Sequence, residues 1–159
     1  MAAWKMPPRA KIYEALTAVA DQRVVVTGPG TARVVSSSRD KSYEVEWSED
    51  WRAVTANDNA SHWQGYIGYP IIAVLLLLGK LSWNGRMAAL LAGIPWKAVN
   101  DRFKRDYDKA IDHVLGQVAA DGGSRAEIEQ EVERIYQQLG SLGLQRAQPR
   151  RRPPRGKRP

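Results

Sequence analysis

The chain has 159 residues, 43% of them hydrophobic, no cysteine and a formal net charge of +7. That length supports one core rather than two, and the missing cysteine excludes a disulfide framework, an iron–sulfur site and a thiolate zinc site, which fits a reducing cytoplasmic setting. The longest strongly apolar run, 71–78, is far short of the roughly twenty residues of a membrane helix, and the opening MAAWKMPPRAK lacks a signal-peptide core, so no membrane association is expected.

Pro8 followed by Ile12, Ala15, Leu16 and Val19 predicts an amphipathic helix over about 8–20. Four short β-branched and aromatic runs follow, at 23–27, 31–36, 42–47 and 51–55, separated by Gly28-Pro29-Gly30 and two polar turns; they predict an antiparallel meander. In the third run Tyr43, Val45 and Trp47 alternate with Ser42, Glu44 and Glu46, giving one apolar and one wet face. After an aromatic loop, Pro70 opens a helix through Leu78 that Gly79 stops, and a short helix over 84–92 ends at Gly93.

Pro95 then starts a long helix to about Ala119, with Val99, Phe103, Tyr107, Ala110, Ile111, Val114 and Val118 on one face. Ser124 and Glu127 form a capping-box signature for a final helix to about 140. Its apolar positions Ile128, Val132, Ile135, Leu139 and Leu142 are spaced four, three, four, three, the repeat of a zipper. With Gly122-Gly123 as a hinge, this helix is expected to project and form a homodimer; the alternative use of the same stripe is docking on its own domain. The expected fold class is α+β: a small antiparallel sheet packed against helices over 1–121, a dimerisation helix over 124–142 and a disordered basic tail over 143–159.

Charge is distributed unevenly. Residues 145–159 hold seven of the 24 basic residues and no acid, which leaves 17 basic against 17 acidic residues over 1–144. The tail alone supplies a long-range field for polyanions, and any site on the body is a local patch.

Catalytic signatures are missing. His62 and His113 stand in unrelated contexts without metal-ligand spacing, no glycine motif matches a phosphate loop or a dinucleotide fingerprint, and no nucleophile–base pair is evident. The acids Asp106, Asp108 and Asp112 beside Arg102, Arg105 and Lys109 have the spacing of helical ion pairs. The expectation is a non-enzymatic protein that needs no cofactor and has no small-molecule substrate.

What the sequence does supply is flat rings beside cations. Twelve of the thirteen aromatic residues are Trp or Tyr. Eight lie between 43 and 97: Tyr43, Trp47, Trp51, Trp63, Tyr66, Tyr69, Trp83 and Trp96, interspersed with Lys41, Arg52, Lys80, Arg86 and Lys97. Single strands need such a set, because every base has a π-face to stack and cations follow the phosphates without reading sequence. The same rings can also be core, since Trp and Tyr are large hydrophobes. The expected nucleic-acid contacts are Trp47, Trp51, Arg52, Trp63, Tyr66, Tyr69, Lys80, Trp83, Arg86 and Lys97, to single-stranded DNA or RNA. An RNA- or ribosome-associated protein anchored by its tail, or a protein–protein adaptor, are the alternatives.

The N-terminal helix before a small sheet, the Trp63-Gln64-Gly65-Tyr66 loop leading through Pro70 into the apolar helix, and the Ile128/Val132/Ile135/Leu139 stripe together resemble the ThermoDBP family, single-stranded DNA-binding proteins of thermophilic crenarchaea. The resemblance covers about residues 8–142. It implies a domain without the OB fold, a hydrophobic cleft flanked by basic residues that takes single-stranded DNA, and a zipper-mediated dimer. The basic tail departs from the acidic tails of ordinary single-strand binders.

Overall fold

The computed structural model describes residues 2–147 and 152–154. The chain is α+β, as its patterning predicts. Helix α1 spans Ala10–Ala20 and leads into strands β1 (Val24–Gly28), β2 (Thr31–Val35), β3 (Ser42–Trp47) and β4 (Ala53–Ala56), all antiparallel neighbours in chain order. The register sets Val24 opposite Val34, Val34 opposite Tyr43 and Val45 opposite Ala56. Alternation then puts Ala32, Val34, Val45 and Val54 on one face, where all four are fully buried, while Arg33 and Glu44 pair at 2.9 Å on the other.

Helix α2, Tyr69–Leu77, lies across the buried face. It has no polar side: Pro70 to Leu76 are all buried, so it must be covered all round. The sheet covers one side of α2, and α1 packs on it as well. Helices α3 (Gly85–Leu90), α5 (Tyr107–Ala120) and α6 (Arg125–Ser141) pack in turn against α1, and α4 (Trp96–Arg102) packs against α5. Trp96 and Thr17 tie these layers together: Trp96 Nε1 donates to Thr17 Oγ1 at 2.8 Å, and that hydroxyl donates to the Leu91 carbonyl at 2.7 Å, all buried.

Three expectations are corrected. The continuous helix over 95–119 is two helices. Lys104 and Arg105 take left-handed φ values of 52° and 64°, and Asp106 caps α5 by accepting from the Lys109 N–H at 3.2 Å. The apolar periodicity continues across the break because both helices bury the same side, which is why periodicity did not reveal it.

The zipper stripe is not available to a second copy. Ile128, Val132, Ile135 and Leu139 are 2% exposed or less within the single chain, with α6 packed on α1, α3 and α5; only Leu142, at 38%, faces outward. The Gly122-Gly123 pair makes the reversal rather than a projection. Gly122 has φ +95°, and a Cβ on Gly123 would lie 2.6 Å from Val118 Cγ1, so the chain can double back this closely only with glycine there. The 124–142 segment is thus part of the one core.

The tail begins later than expected. Gln145 and Arg146 form β5, parallel to β4, Leu144 is buried, and the Arg146 guanidinium stacks 4.9 Å over the Trp4 ring, whose Nε1 donates to the Val54 carbonyl at 3.1 Å. Apart from 152–154, the remainder of the expected tail lies outside the described residues. No helix among the described residues is long and apolar enough to cross a membrane.

Because the α6 stripe is core, Ile135→Ala should lower stability by about 2–5 kcal/mol, and Leu139→Asp should unfold the chain rather than release folded monomers. Thermal unfolding followed by circular dichroism, beside light scattering, checks both.

Candidate nucleic-acid interface

The expected aromatic group divides in two at opposite ends of β3 and α2. Tyr43 and Trp47 share a face of β3 four residues apart, about 13 Å at ~3.3 Å per residue. At the Trp47 end, Trp47 and Trp51 stack with centroids 4.8 Å apart and planes 12° off parallel, and Lys80 Nζ sits 5.2 Å over Trp51. Trp83 joins this end, its Nε1 donating to the Leu76 carbonyl at 2.8 Å. Trp47, Trp51 and Trp83 are half-buried against the core, with rings already stacked or tied by hydrogen bonds. Arg52 is exposed on the adjoining turn. Arg86 lies elsewhere, in a groove with Glu127, Glu131 and Arg134 that already carries an Arg134–Glu131 ion pair.

At the Tyr43 end the geometry is different. Tyr43 and Tyr69 meet edge to face at 6.2 Å, and around them a cleft opens with two joined bays that share Tyr43, Asn59, Tyr69, Arg105 and Tyr107. The outer bay, about 540 Å³, adds Lys11, Asp58, Trp63, Gln64 and Tyr66. The inner bay, about 340 Å³, runs between the β2–β3 turn, α1 and α4, and adds Glu14, Arg23, Lys41, Lys97 and Asn100. Of the expected contacts, Trp63, Tyr66, Tyr69 and Lys97 come together here; Trp47, Trp51, Arg52, Lys80, Trp83 and Arg86 do not.

The outer wall is a single π-helical turn, Ala60–Gln64, a rare geometry that accumulates at functional sites. It holds Trp63 outward with 70% of its surface exposed, braced edge-on by the His62 ring at 4.3 Å. Asp58 organises the turn: it is buried, Oδ2 accepts from the Ser61 N–H at 3.1 Å, and Oδ1 has no hydrogen-bond partner among the described residues. A Cβ at position 68 would lie 2.0 Å from that carboxylate, so the glycine is what admits it. Burial pushes the Asp58 carboxyl above the ordinary carboxylate range, against the opposing pull of its bonds to Ser61.

Lys11 brings a largely buried ammonium to the outer bay. Lys11 Nζ lies 3.0 Å from Glu14 Oε2 and 4.9 Å over the Tyr107 ring. Burial opposes its charge, but Glu14 and the neighbouring Tyr107 and Tyr66 outweigh that and hold the ammonium above its usual pKa. Burial likewise raises the Tyr43 hydroxyl to about 12, and those of Tyr66 and Tyr69 upward, so the rings stay neutral donors at physiological pH. Lys97 pairs with Asp101 at 3.3 Å, whereas no carboxylate among the described residues stands within ion-pair distance of Lys41 or Arg105. A larger groove of about 640 Å³ between α5 and α6 is less suited to a polyanion, because its Arg9 and Arg125 are already bound to Glu133, Asp112 and Glu129 at 2.7 Å. No cluster of three or more His, Asp or Glu side chains among the described residues is gathered as metal ligands would be.

Lys11, Glu14, Arg23, Asn100, Arg105 and Tyr107 were not singled out as site residues in the sequence. They come from α1, the residue just before β1 and both sides of the α4–α5 break, and the helix reading hid that break. Asp106 followed by Lys109 was the available signal, an N-cap inside an apparently continuous helix.

The chain belongs to the family described as uncharacterised conserved protein UCP014422, whose model matches residues 4–145. No curated protein and no solved structure matches the chain.

Because the folded-state pKa of Asp58 is raised, the native state holds its proton to higher pH than the unfolded chain does. Its contribution to stability is therefore greatest at acid pH and is lost as pH rises through the folded pKa. Asp58→Asn removes that titration, so the stability of wild type minus that of the variant should fall as pH rises from about 4 to 8. Denaturant unfolding across that range measures it; a difference that rises with pH would place an ionised, stabilised carboxylate there instead.

Proposed function

We propose that this protein binds single-stranded nucleic acid, DNA in the first instance, across the tyrosine-lined cleft with Trp63 at its mouth. The observation that carries the reading is the 70% exposure of the Trp63 indole beside a bay lined by Tyr66, Tyr69, Tyr107, Lys11 and Arg105. An apolar ring held out on a rigid turn loses little conformational freedom when a base stacks on it, and each stacked base is worth about 1–3 kcal/mol. Cations alongside neutralise phosphates without distinguishing sequence, so the interaction is sequence-tolerant. A duplex, whose bases are already stacked on one another, has nothing to offer Trp63.

No step in this reading transforms the strand, and no cofactor enters it. The resemblance to the ThermoDBP proteins supports it through the loop that carries Trp63 and Tyr66; the α6 stripe, spent on the chain's own core, lends it nothing. A homodimer, if formed, uses another surface. The basic residues beyond 147 add attraction for any polyanion.

Trp63→Ala should weaken binding of a labelled single strand by about 1–3 kcal/mol and leave the melting temperature close to wild type. Trp51→Ala should leave affinity unchanged, because that ring is already stacked on Trp47. Fluorescence anisotropy with single-stranded and duplex competitors measures both. Equal competition by duplex, or full affinity in Trp63→Ala, would refute the cleft.

A chain ending at residue 147 lacks six of the basic residues and keeps the fold that β5 and Leu144 complete. Its dependence of log affinity on log salt should be shallower than that of the full chain, because fewer phosphates are neutralised and fewer counterions released. Its preference for single over double strands should be unchanged.

A further inference from the structure

The inner bay has features that strand stacking on Trp63 does not use. Arg23 is 3% exposed; its Nη1 donates to the Val35 carbonyl at 2.6 Å, but its Nε has no hydrogen-bond partner among the described residues, and the nearest carboxylate, Asp21 Oδ2, is 3.8 Å away. The Arg23 guanidinium is thus a buried cation in the wall of the bay, anchored by the Val35 carbonyl and facing Asp21 at the outer limit of an ion pair. Lys41 and Arg105 line the same bay without an ion-pair partner among the described residues. On the floor, Asn100 Nδ2 donates to Glu14 Oε1 at 3.1 Å, and both residues are less than 10% exposed. Tyr43, Tyr69, Trp96 and Tyr107 supply aromatic wall.

Four cations, Arg23, Lys41, Lys97 and Arg105, line the bay against two carboxylates, Glu14 and Asp101, which are held by Lys11 and Lys97, and this surplus of positive charge suits an anion. Phosphate or sulfate alone would leave the aromatic wall and most of about 340 Å³ without contact, a volume in the range of small-ligand sites. We propose that the inner bay binds a single nucleoside monophosphate, its phosphate held by Arg23, Lys41 and Arg105 and its base against the tyrosines. The nucleotide is either a free molecule or one residue of a strand drawn in past Trp63. The bay shares Tyr43, Tyr69, Arg105 and Tyr107 with the stacking surface, but binding of the nucleotide does not require a strand on Trp63.

Calorimetric titration of the full-length protein with adenosine 5′-monophosphate tests it, with adenosine and inorganic phosphate as separate titrants. The expected result is one saturable site per chain for the nucleotide, about tenfold or more tighter than either half alone, since charge-assisted and aromatic contacts act together. Lys41→Ala and Arg105→Asn should each weaken the nucleotide by about tenfold. Asparagine tolerates the left-handed φ of 64° at position 105, so that variant keeps the turn.

Displacement of a bound oligonucleotide by the mononucleotide identifies the ligand as part of a strand, and independent binding of the two identifies it as a free nucleotide; both uphold the bay. Absence of saturable nucleotide binding, phosphate binding as tightly as nucleotide, or full affinity in both cation variants overturns it. Oligonucleotide binding that persists in any of those cases leaves strand recognition at Trp63 standing, while nucleotide binding without oligonucleotide binding removes strand recognition and keeps the bay.

Discussion

Everything in this molecule is arranged around the need to cover α2. A nine-residue helix with no polar face has to be covered along nearly its whole length, and burying each of its Ile, Val and Leu side chains from Ile71 to Leu76 is worth about 1.5–3 kcal/mol. The meander supplies one wall. α1 packs on it too, and α3, α5 and α6 pack against α1. The demand extends to α6: its stripe is drawn into the same core, and a helix that could have served a second copy is used inside the chain.

The same constraint produces the two aromatic ends. Tyr69 opens α2 beside Tyr43 of β3, and the Leu76 carbonyl near its close is taken by Trp83, with Trp47 at the far end of β3. One end is finished: Trp47 and Trp51 stack on each other and Lys80 covers the pair. At the other end, α1, the β2–β3 turn, β3, the π-helical turn, α2, α4 and α5 meet without closing, and the gap between them is the cleft. The left-handed turn at Lys104 and Arg105 matters most here, because a helix continuing straight from α4 would not bring Arg105 and Tyr107 to the same rim.

Buried ionisable and polar groups give the cleft its character. Lys11 against Glu14, Glu14 against Asn100, Arg23 near Asp21 and Asp58 over the π-helical turn are all removed from water to different degrees. Folding gains little from such groups compared with apolar side chains of the same size. Their concentration around one opening, with Arg23 and Asp58 each keeping an atom unsatisfied among the described residues, is what a site for a polar ligand requires and a structural core does not.

Local pattern determined a great deal by itself. Period-two alternation in β3, the β-branched runs of the meander, the uninterrupted apolar run of α2 and the Ser124 cap of α6 each depend on near neighbours in sequence, and each element lies where these signals put it, within a few residues. The mix of tyrosines, tryptophans and cations named Trp63, Tyr66, Tyr69 and Lys97 only within a set of ten, six of which the fold places away from the cleft. Only the tertiary structure decided what each apolar face met. A four-three repeat in α6 is the same string whether it faces a second copy or α1, and the choice rested on a reversal at Gly122-Gly123 that brings Gly123 against Val118. Trp51 and Trp63 are the same residue type in similar surroundings of sequence, yet one stacks on Trp47 and the other is mostly exposed, because exposure is a property of what packs nearby. Lys11, Arg23, Asn100 and Arg105 are separated by up to 94 positions and share a cleft solely through the packing of α1, the start of β1, α4 and the turn after it, so no spacing rule could have joined them.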